Sequence, residues 1–548
     1  LYLRAIAIHE KAPGPKPADL TEFRNNLAEL YQALSRYSEA EPLFRLALQD
    51  RRKRNAVRNN LAVLLRSTGR LEEAEAMLKQ VLESADENAP SPKEKAAALN
   101  NLAELLQARG DQQQAESLYR QSIELKEKTI GAGHPELAVT LNNLADLYAG
   151  QGRNKDAESL YHRSLGIYEN AFPTANARIG TTLNGLAIVA RSQGRLAEAE
   201  ALLQRCLSIF SQSLGDDHPR TAVTIANLGV LANQQGRHAD GEKLLRQALS
   251  TTEKALGADH MDVAHIVNNL GMAVEGQNRL SEAETLYRRA LEIAEKTFGP
   301  QHLRLAGALT NLAGVLDAQK RLADAEPLLA RALAIRESAL GPNSVEVAAI
   351  LDTLANHFHL QQQYGKAEQA ARRALDIREK QLDPEHADLS LSRRNLARIF
   401  HAQGRLAAAE QEYKGALAIL EKNQGGSSLK AASTLSSLTE ICGMQHRYAE
   451  ARRHLQRALD IWEVKYGPSH RDVAAGYNNL GYLFFMDRRY DDAEVAVRRA
   501  LAAWERISGP NHPDVVTSLS NLADLAVARG RRNEAAPLMR RVKSILGQ

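Results

Sequence analysis

The stretch 141–153, LNNLADLYAGQGR, reads as one amphipathic helix that runs into a turn. Its apolar residues recur at helical spacing, and Gly152 is the residue type that commonly ends a helix. Two asparagines, Asn142 and Asn143, stand in the middle of this helix. Asn is a poor helix former because its amide competes with the backbone for hydrogen bonds. The pair therefore needs an explanation other than helix propensity.

Nearly the same helix returns along the whole chain. If Leu144 is taken as an anchor, equivalent leucines follow spacings of 34, then 41, then 42 residues without exception. Thirteen units in such strict phase define an internal repeat. The anchors are Leu27, Leu61, Leu102, Leu144, Leu186, Leu228, Leu270, Leu312, Leu354, Leu396, Leu438, Leu480 and Leu522.

Each unit is predicted to be a hairpin of two helices. Thirteen residues after the anchor lies an alanine, such as Ala157, in every unit except the one that holds Gly241. A large apolar residue such as Tyr161 follows, and a small residue lets two helices approach while the large one fills the neighbouring gap. A glycine, for example Gly152, separates the two helical stretches in most units.

This pattern resembles the tetratricopeptide repeat, whose minimal unit has 34 residues. The 42-residue form with its loop GAGHPELA, at 131–138, is similar to the kinesin light chain type of that family. The resemblance covers essentially the whole chain. It implies an all-α solenoid of tandem helical hairpins that forms a right-handed superhelix, with the first helix of each hairpin on the inner, concave wall.

The repeat phase also predicts the domain organisation. We expect one solenoid over 1–548, with a truncated half repeat at 1–20, irregular repeats at 21–54 and 55–94, and regular 42-residue repeats at 95–548. Residue 1 falls inside a second helix whose first helix is missing. This phase predicts that the chain is cut from something longer on the N-terminal side.

Composition narrows the classes of partner. The 70 basic and 66 acidic residues give a net charge of +4, which is too weak a bias to indicate nucleic acid or an anionic membrane surface. No apolar run reaches the roughly 18 residues of a membrane span. The only cysteines, Cys206 and Cys442, suit a reducing compartment, and we expect a cytoplasmic protein in which both are buried and unbridged.

Seven histidines share one position, ten residues before the anchor, and could suggest metal. Zinc requires nitrogens about 2.0–2.1 Å from one ion, whereas packed helices stand roughly 8–10 Å apart, so successive units cannot share an ion. A proline often follows, and then an acidic residue, which favours a helix start. We expect no metal and no cofactor. The histidines are His134, His218, His260, His302, His386, His470 and His512.

No catalytic motif emerges from the sequence. The recurring glycines belong to the repeat turn and not to a phosphate-binding loop. The one basic cluster, DRRKR at 50–54, is interpreted as a solvated surface run, with an import signal or an RNA contact as the alternative. We therefore expect no enzyme activity within these residues.

The residue just before each anchor is predicted to point away from the hairpin core, because it lies about 150° from the centre of the apolar stripe. It is Asn in ten of thirteen units, and Gly185, Thr353 and Ser437 break the series. An amide matches the donor and acceptor of a peptide unit. These ladder asparagines are Asn26, Asn60, Asn101, Asn143, Asn227, Asn269, Asn311, Asn395, Asn479 and Asn521.

The ladder has two interpretations. Amides about 10 Å apart would meet an extended ligand backbone about every third residue, at roughly 3.3 Å each, and tetratricopeptide superhelices with long grooves use such a ladder. Alternatively, the amides bond to neighbouring helices and fix only the superhelix. Residues two after the anchor should also line the groove and set specificity, with a basic or polar ligand preferred early: Glu29, Glu104, Asp146, Arg398, Glu440 and Asp524.

The function favoured by the sequence is a non-catalytic scaffold that binds an extended peptide or protein segment in the concave groove. Two alternatives remain open. The chain could be the sensor or regulatory region of a larger protein whose effector domain precedes it, or it could act by self-association as a homo-oligomer. No nucleic acid and no membrane partner is expected.

Overall fold

The computed structural model describes residues 2–11, 17–33, 36–50, 54–84, 89–172, 174–424 and 427–547. Within these ranges the regular structure is 27 α-helices and a 3₁₀ turn at Pro513–Val515, with no strand. The helices alternate between two roles, as the repeat predicts. Helix α1 stands alone, and α2 to α27 form thirteen hairpins, each with a first helix that carries the anchor leucine and a second helix.

The chain divides into two compact units, 1–297 and 298–548. The helices that begin in unit 1 are α1 Tyr2–Lys11, α2 Pro17–Ala33, α3 Tyr37–Ala47, α4 Arg54–Ser67, α5 Leu71–Leu82, α6 Pro92–Ala108, α7 Gln112–Ile130, α8 Pro135–Gly150, α9 Asn154–Ala171, α10 Ala177–Ser192, α11 Leu196–Leu214, α12 Pro219–Gln234, α13 His238–Leu256, α14 Met261–Glu275 and α15 Leu280–Phe298. Those of unit 2 are α16 Leu305–Ala318, α17 Leu322–Leu340, α18 Val345–Leu360, α19 Tyr364–Gln381, α20 Ala387–Ala402, α21 Leu406–Gln424, α22 Leu429–Met444, α23 Tyr448–Tyr466, α24 Arg471–Met486, α25 Tyr490–Ser508, α26 Val516–Ala528 and α27 Arg532–Leu546.

The core of each hairpin confirms the predicted packing of small against large residues. Ala157 is fully buried and Tyr161 is 2% exposed on α9, and both lie against the first helix of the same hairpin. The anchor Leu144 is 3% exposed on α8. The apolar stripe of both helices therefore faces inward, and burying it holds the hairpin together.

The turn between the two helices requires a left-handed residue. Gly152 has φ +75°, and Gly194 has φ +76°. Where the repeat lacks glycine the backbone keeps this conformation, as at Lys320 with φ 65° and Gln362 with φ 60°. A side chain in this region costs about 1 kcal/mol relative to glycine, so the turn geometry is imposed by the hairpin and not by the local residue.

Gly241 replaces the column alanine because two helices approach unusually closely there. A Cβ at Gly241 on α13 would lie 2.8 Å from the carbonyl oxygen of Gly229 on α12. A Cβ at Gly229 would in turn lie 2.8 Å from Cγ of Leu245. Both distances are shorter than a carbon atom tolerates, so this hairpin depends on two facing glycines.

Arginines that precede the second helices link neighbouring hairpins. Arg153 donates to Glu116 of the preceding repeat at 2.8 Å and also pairs with Asp156 at 2.9 Å. Arg237 and Glu200 repeat this contact at 2.9 Å. The pairs are partly exposed, so each contributes less than about 1 kcal/mol. In the sequence, such an ion pair is recognised by an acidic residue 37 positions before the arginine.

The histidine column acts at helix starts, as predicted. Nδ1 of His134 accepts a hydrogen bond from the backbone N–H of Glu136 at 3.2 Å, and Pro135 follows as the first helical residue. The same cap is formed by His218, His260, His386, His470 and His512. His302 accepts in the same way from Arg304, but α16 begins only at Leu305.

Cys206 and Cys442 are buried and unbridged, as predicted. The central residues 51–53 of the basic cluster lie outside the described residues. Among the helices that the structure describes, none combines the length and the apolar character of a membrane span.

Candidate functional site

The first helices of successive hairpins form one continuous face in each unit. In unit 1, α4 packs on α6 and α12 packs on α14, and in unit 2 α18 packs on α20. Among the described residues, successive second helices pack less closely and are joined by ion pairs such as Arg163 with Glu127. The first helices are therefore the crowded, inner side of each stack. We call the inner face the surface formed by the ladder asparagines, the residues four before them and the residues three after them.

The ladder amide of Asn143 is held by the preceding repeat. Its Nδ2 donates to Oδ1 of Asn100 at 3.0 Å and to Oε1 of Glu104 at 2.7 Å. An ionised carboxylate only accepts hydrogen bonds, so Glu104 fixes which end of the amide is nitrogen. Both N–H groups are thus used, and no donor to Oδ1 of Asn143 occurs among the described residues. The Asn143 side chain is half-buried.

The same bond recurs where the preceding repeat offers an acceptor. Asn60 donates to Asn25 at 3.0 Å and to Glu29. Asn227 donates to Asn184 at 2.7 Å. In unit 2, Asn395 donates to Asp352 at 3.1 Å. The remaining ladder residues Asn26, Asn101, Asn269, Asn311 and Asn521 are half-buried, and Asn479 is exposed.

These contacts explain the asparagine pair of the repeat. The first member accepts from the ladder asparagine of the next repeat, as Asn100 does for Asn143. Asn142 has no such neighbour because the next ladder position is Gly185, and it donates to Thr182 at 2.8 Å. The first asparagine of the pair therefore contacts the next repeat in both cases.

Gly185 breaks the ladder because another side chain occupies its place. A Cβ there would lie 2.5 Å from the ring of Tyr161, which passes beneath it and donates its hydroxyl to Asp146. Burial and the charge of Asp146 raise the pKa of Tyr161, so the hydroxyl stays protonated and remains a donor. The gap in the ladder is thus a site where the hairpin core reaches the inner face.

The predicted specificity residues lie on the inner face, but most already have partners. Glu104 also forms an ion pair with Arg66. In unit 2, Arg398 donates to Asn356 at 2.8 Å, and Glu440 lies 3.9 Å from His401. Asp524 is exposed. In unit 1, Glu29, Glu104 and Asp146 give one end of the inner face an acidic character. Arg66 offsets part of this negative charge.

An apolar section follows the acidic end and was missed from the sequence. Ile188 and Met272, three residues after their ladder positions, are 41% and 42% exposed, and Val230 between them is half-buried. The sequence could have shown this section, because these apolar residues stand at the same repeat position as Glu104 and Asp146. The inner face of unit 1 therefore changes from acidic to apolar along the stack.

Two depressions mark unit 1. One of ≈ 350 Å³ lies on the inner face and is lined by Glu29, Gln32, Tyr37, Asn60, Val63 and Ser67. A second of ≈ 430 Å³ lies between the second helices α7 and α9, where Arg120 and Arg153 pair with Glu116, and Arg163 pairs with Glu127. Its basic groups are neutralised within the chain, so the inner face is the better candidate site.

One group of side chains could hold a metal. Of the residues that the structure describes, Cys442, Glu450 and His454 alone bring three potential metal-binding atoms together.

Comparison with known proteins agrees with the hairpin architecture. The sequence profile of the tetratricopeptide repeat matches residues 54–128, 94–170, 178–240, 224–296, 268–338, 304–380, 346–422, 388–463, 430–503 and 472–547, and a second profile of that description matches 22–55. The comparison with curated proteins gave no match.

Solved structures that are similar to parts of the chain include BtubC (BKLC) from P. vanneervenii, at 25% identity and a TM-score of 0.37, over 42% of this chain and 91% of that one. Another is a kinesin light chain with nearly identical TPR-like repeats from Podosopora anserina, at 21% identity and a TM-score of 0.35, over 37% of this chain and 96% of that one. With profile matches along nearly its whole length, the chain belongs to the tetratricopeptide repeat family.

Proposed function

We propose that the inner face of unit 1 binds an extended segment of a partner protein through the backbone of that segment. Tetratricopeptide repeats generally mediate protein–protein interaction, and this proposal adds a site and a mode of binding. The observation that carries it is the fixed orientation of the ladder amides. Asn60, Asn143 and Asn227 direct their N–H groups at the preceding repeat, so each leaves the same group, its carbonyl oxygen, for a ligand.

A carbonyl oxygen accepts from the backbone N–H that every residue except proline carries. The ladder would therefore bind a main chain largely independently of its side chains. Because the amides are tied to their neighbours, little side-chain entropy is lost on binding, and such preorganisation favours affinity.

The spacing of the ladder selects the ligand conformation. Repeats about 10 Å apart match three residues of a polyproline II helix, which rises about 3.1 Å per residue with three residues per turn. Every third N–H then points the same way. In a β-strand successive side chains and N–H groups alternate, so every third N–H would face away.

The side chains of the inner face give the expected ligand sequence. Glu29, Glu104 and Asp146 favour basic or polar residues at one end of the segment. Ile188 and Met272 favour apolar residues at the other end. We therefore propose a partner segment that is basic at one end and apolar at the other, and that adopts the polyproline II conformation when bound.

A peptide array tests this proposal. The full chain is probed with 15-residue peptides that vary in charge and apolar content, together with Val139→Arg, which places a long cation on the inner face, and Val464→Arg on the outer surface of α23. Val139 is 38% exposed and Val464 is 82% exposed, so neither variant disturbs the core. Circular dichroism verifies that both variants fold.

We expect basic–apolar peptides to bind the unaltered chain and the Val464→Arg variant, and to lose affinity for Val139→Arg. A preference for acidic peptides, or an equal loss in both variants, would show that the inner face of unit 1 is not the binding site.

A further inference from the structure

One repeat of unit 2 departs from the repeat pattern at two positions that face each other. Cys442 lies on α22, four residues after the anchor, where the other twelve repeats hold an apolar or aromatic residue. His454 lies on α23, sixteen residues after the anchor, where eight repeats hold leucine. No other hairpin holds a potential metal ligand at both positions.

The two departures converge on a third group. Sγ of Cys442, a ring nitrogen of His454 and a carboxylate oxygen of Glu450 all lie within 4.8 Å of one another. Nε2 of His454 and Oε1 of Glu450 are 3.7 Å apart. Glu450 and His454 are four residues apart on one helix, so their side chains share a face. Cys442 meets that face from the facing helix of the same hairpin.

One ring nitrogen of His454 makes no hydrogen bond in this environment. Nε2 of His454 is buried, with no hydrogen-bond partner among the described residues. A buried polar atom that makes no hydrogen bond destabilises the folded chain. Leucine, which eight of the other repeats hold at this position, avoids that cost. A bound group that interacts with Nε2 would therefore explain why this repeat holds a histidine.

We propose that Cys442, Glu450 and His454 bind a zinc ion. A thiolate, an imidazole and a carboxylate are zinc ligands, and three protein ligands leave one coordination position open. Bonds of about 2.0–2.3 Å in tetrahedral geometry place the ligand atoms about 3.3–3.6 Å apart. Two of these atoms at the 4.8 Å limit must therefore approach by about 1.2–1.5 Å, within reach of side-chain rotation. The Glu450 side chain is 26% exposed, which gives the ion a route from solvent.

The neighbouring cations are compatible with a bound ion because they have other partners. Arg447 donates to Oε2 of Glu450 at 2.8 Å and to Glu410 at 2.5 Å, so Oε1 of Glu450 stays available to the metal. Lys414 is 3.6 Å from Oε1 but bonds to Glu410 at 2.6 Å. Nη2 of Arg447 also lies 3.4 Å from Sγ of Cys442, where an N–H stabilises a thiolate in the manner of an outer-shell partner.

Cobalt(II) is the probe for this site, because a thiolate bound to cobalt gives a charge-transfer band in the near ultraviolet. The chelator-treated full chain is titrated with Co²⁺ and then with Zn²⁺. We expect one equivalent to produce the band and zinc to remove it by displacement. Cys442→Ser and His454→Leu should each lose the band and bind zinc more than about 100-fold more weakly, which exceeds the loss of an outer-shell partner.

Two matched controls separate the site from accidental binding. Glu158 and His162 have the same four-residue spacing, with His162 Nε2 3.9 Å from Oε1 of Glu158, but face no cysteine, so His162→Leu should change nothing. Cys206→Ser tests the other buried thiol and should also leave the band intact. Zinc should raise the melting temperature of the unaltered chain and not that of His454→Leu, which carries the residue common at this repeat position.

A cobalt band that is absent from the unaltered chain would overturn the proposal. It would also be overturned if the band survived in Cys442→Ser or His454→Leu, or disappeared in Cys206→Ser. These outcomes are independent of the inner face of unit 1, since the site lies in unit 2.

Discussion

Replacing Asn143 with alanine should loosen the contact between α6 and α8. The variant removes a 2.7 Å bond to the Glu104 carboxylate and a 3.0 Å bond to Asn100. A hydrogen bond to a charged group contributes about 1.5–3 kcal/mol and a neutral one about 0.5–1.5. Asn143 is half-buried, which favours the lower ends, so the two bonds together contribute about 2 kcal/mol.

The better helix propensity of alanine returns about 0.5–0.7 kcal/mol. The net loss is therefore about 1.5 kcal/mol, which is roughly a tenfold change in an equilibrium constant. A solenoid of many repeats does not unfold in one step. Amide hydrogen exchange measures the local opening instead, and it should accelerate about tenfold for the protected amides of α8.

The matched control is Asn479→Ala, at the same repeat position on α24. Asn479 is exposed and makes no hydrogen bond among the described residues, so this variant should show only the propensity gain, with unchanged or slower exchange in α24. A double-mutant cycle with Glu104→Gln should give a coupling of about 1 kcal/mol. The reasoning would be refuted if exchange in α8 changed less than twofold, or no differently from the change in α24.

Three further predictions concern turns, packing and pH. Gln362→Gly should raise stability by about 0.5–1 kcal/mol because glycine adopts the left-handed backbone conformation more easily, and Gly194→Gln should lower stability by a similar amount. Thermal melting compares the two variants, and changes of the opposite sign would contradict the turn argument. Gly241→Ala introduces the residue that every other repeat carries at this position. It should nevertheless destabilise the chain by about 1–2 kcal/mol because its Cβ meets the carbonyl of Gly229. A gain in melting temperature would exclude that clash. Burial and the nearby charge of Arg398 lower the pKa of His359. The contribution of neutral His359 to stability is therefore full above about pH 6.5 and is lost as the pH falls through the lowered pKa. His359→Gln should remove this part of the pH dependence of the melting temperature, and an unaltered pH profile would refute the prediction.

Much of the fold was predictable because it depends on periodicity. The 42-residue phase of Leu144 and its equivalents determines the hairpin, and the burial of the column alanines follows from it. The ladder position of Asn143 was predictable for the same reason. Which atoms of its amide are occupied was not, because that depends on the distance to Asn100 in the preceding repeat, which no local pattern encodes.

The residues that depart from the repeat pattern could not be explained from the sequence either, because their role depends on contacts between helices. Gly185 and Gly241 read as irregularities in the sequence, and only the packed hairpins show that Tyr161 or a helix backbone occupies the space of a side chain. Cys442 and His454 lie twelve residues apart on different helices, so their meeting depends on the angle between the helices of the hairpin.

The central claim is that the ladder asparagines of unit 1 accept hydrogen bonds from the backbone of a bound peptide. N-methylation of single residues in the best-binding array peptide removes one N–H at a time without changing its side chains. We predict that affinity for the full chain falls strongly at every third residue, except at the residue that meets Gly185, and little at the positions between. An even loss along the peptide, or no loss at any position, would contradict the claim.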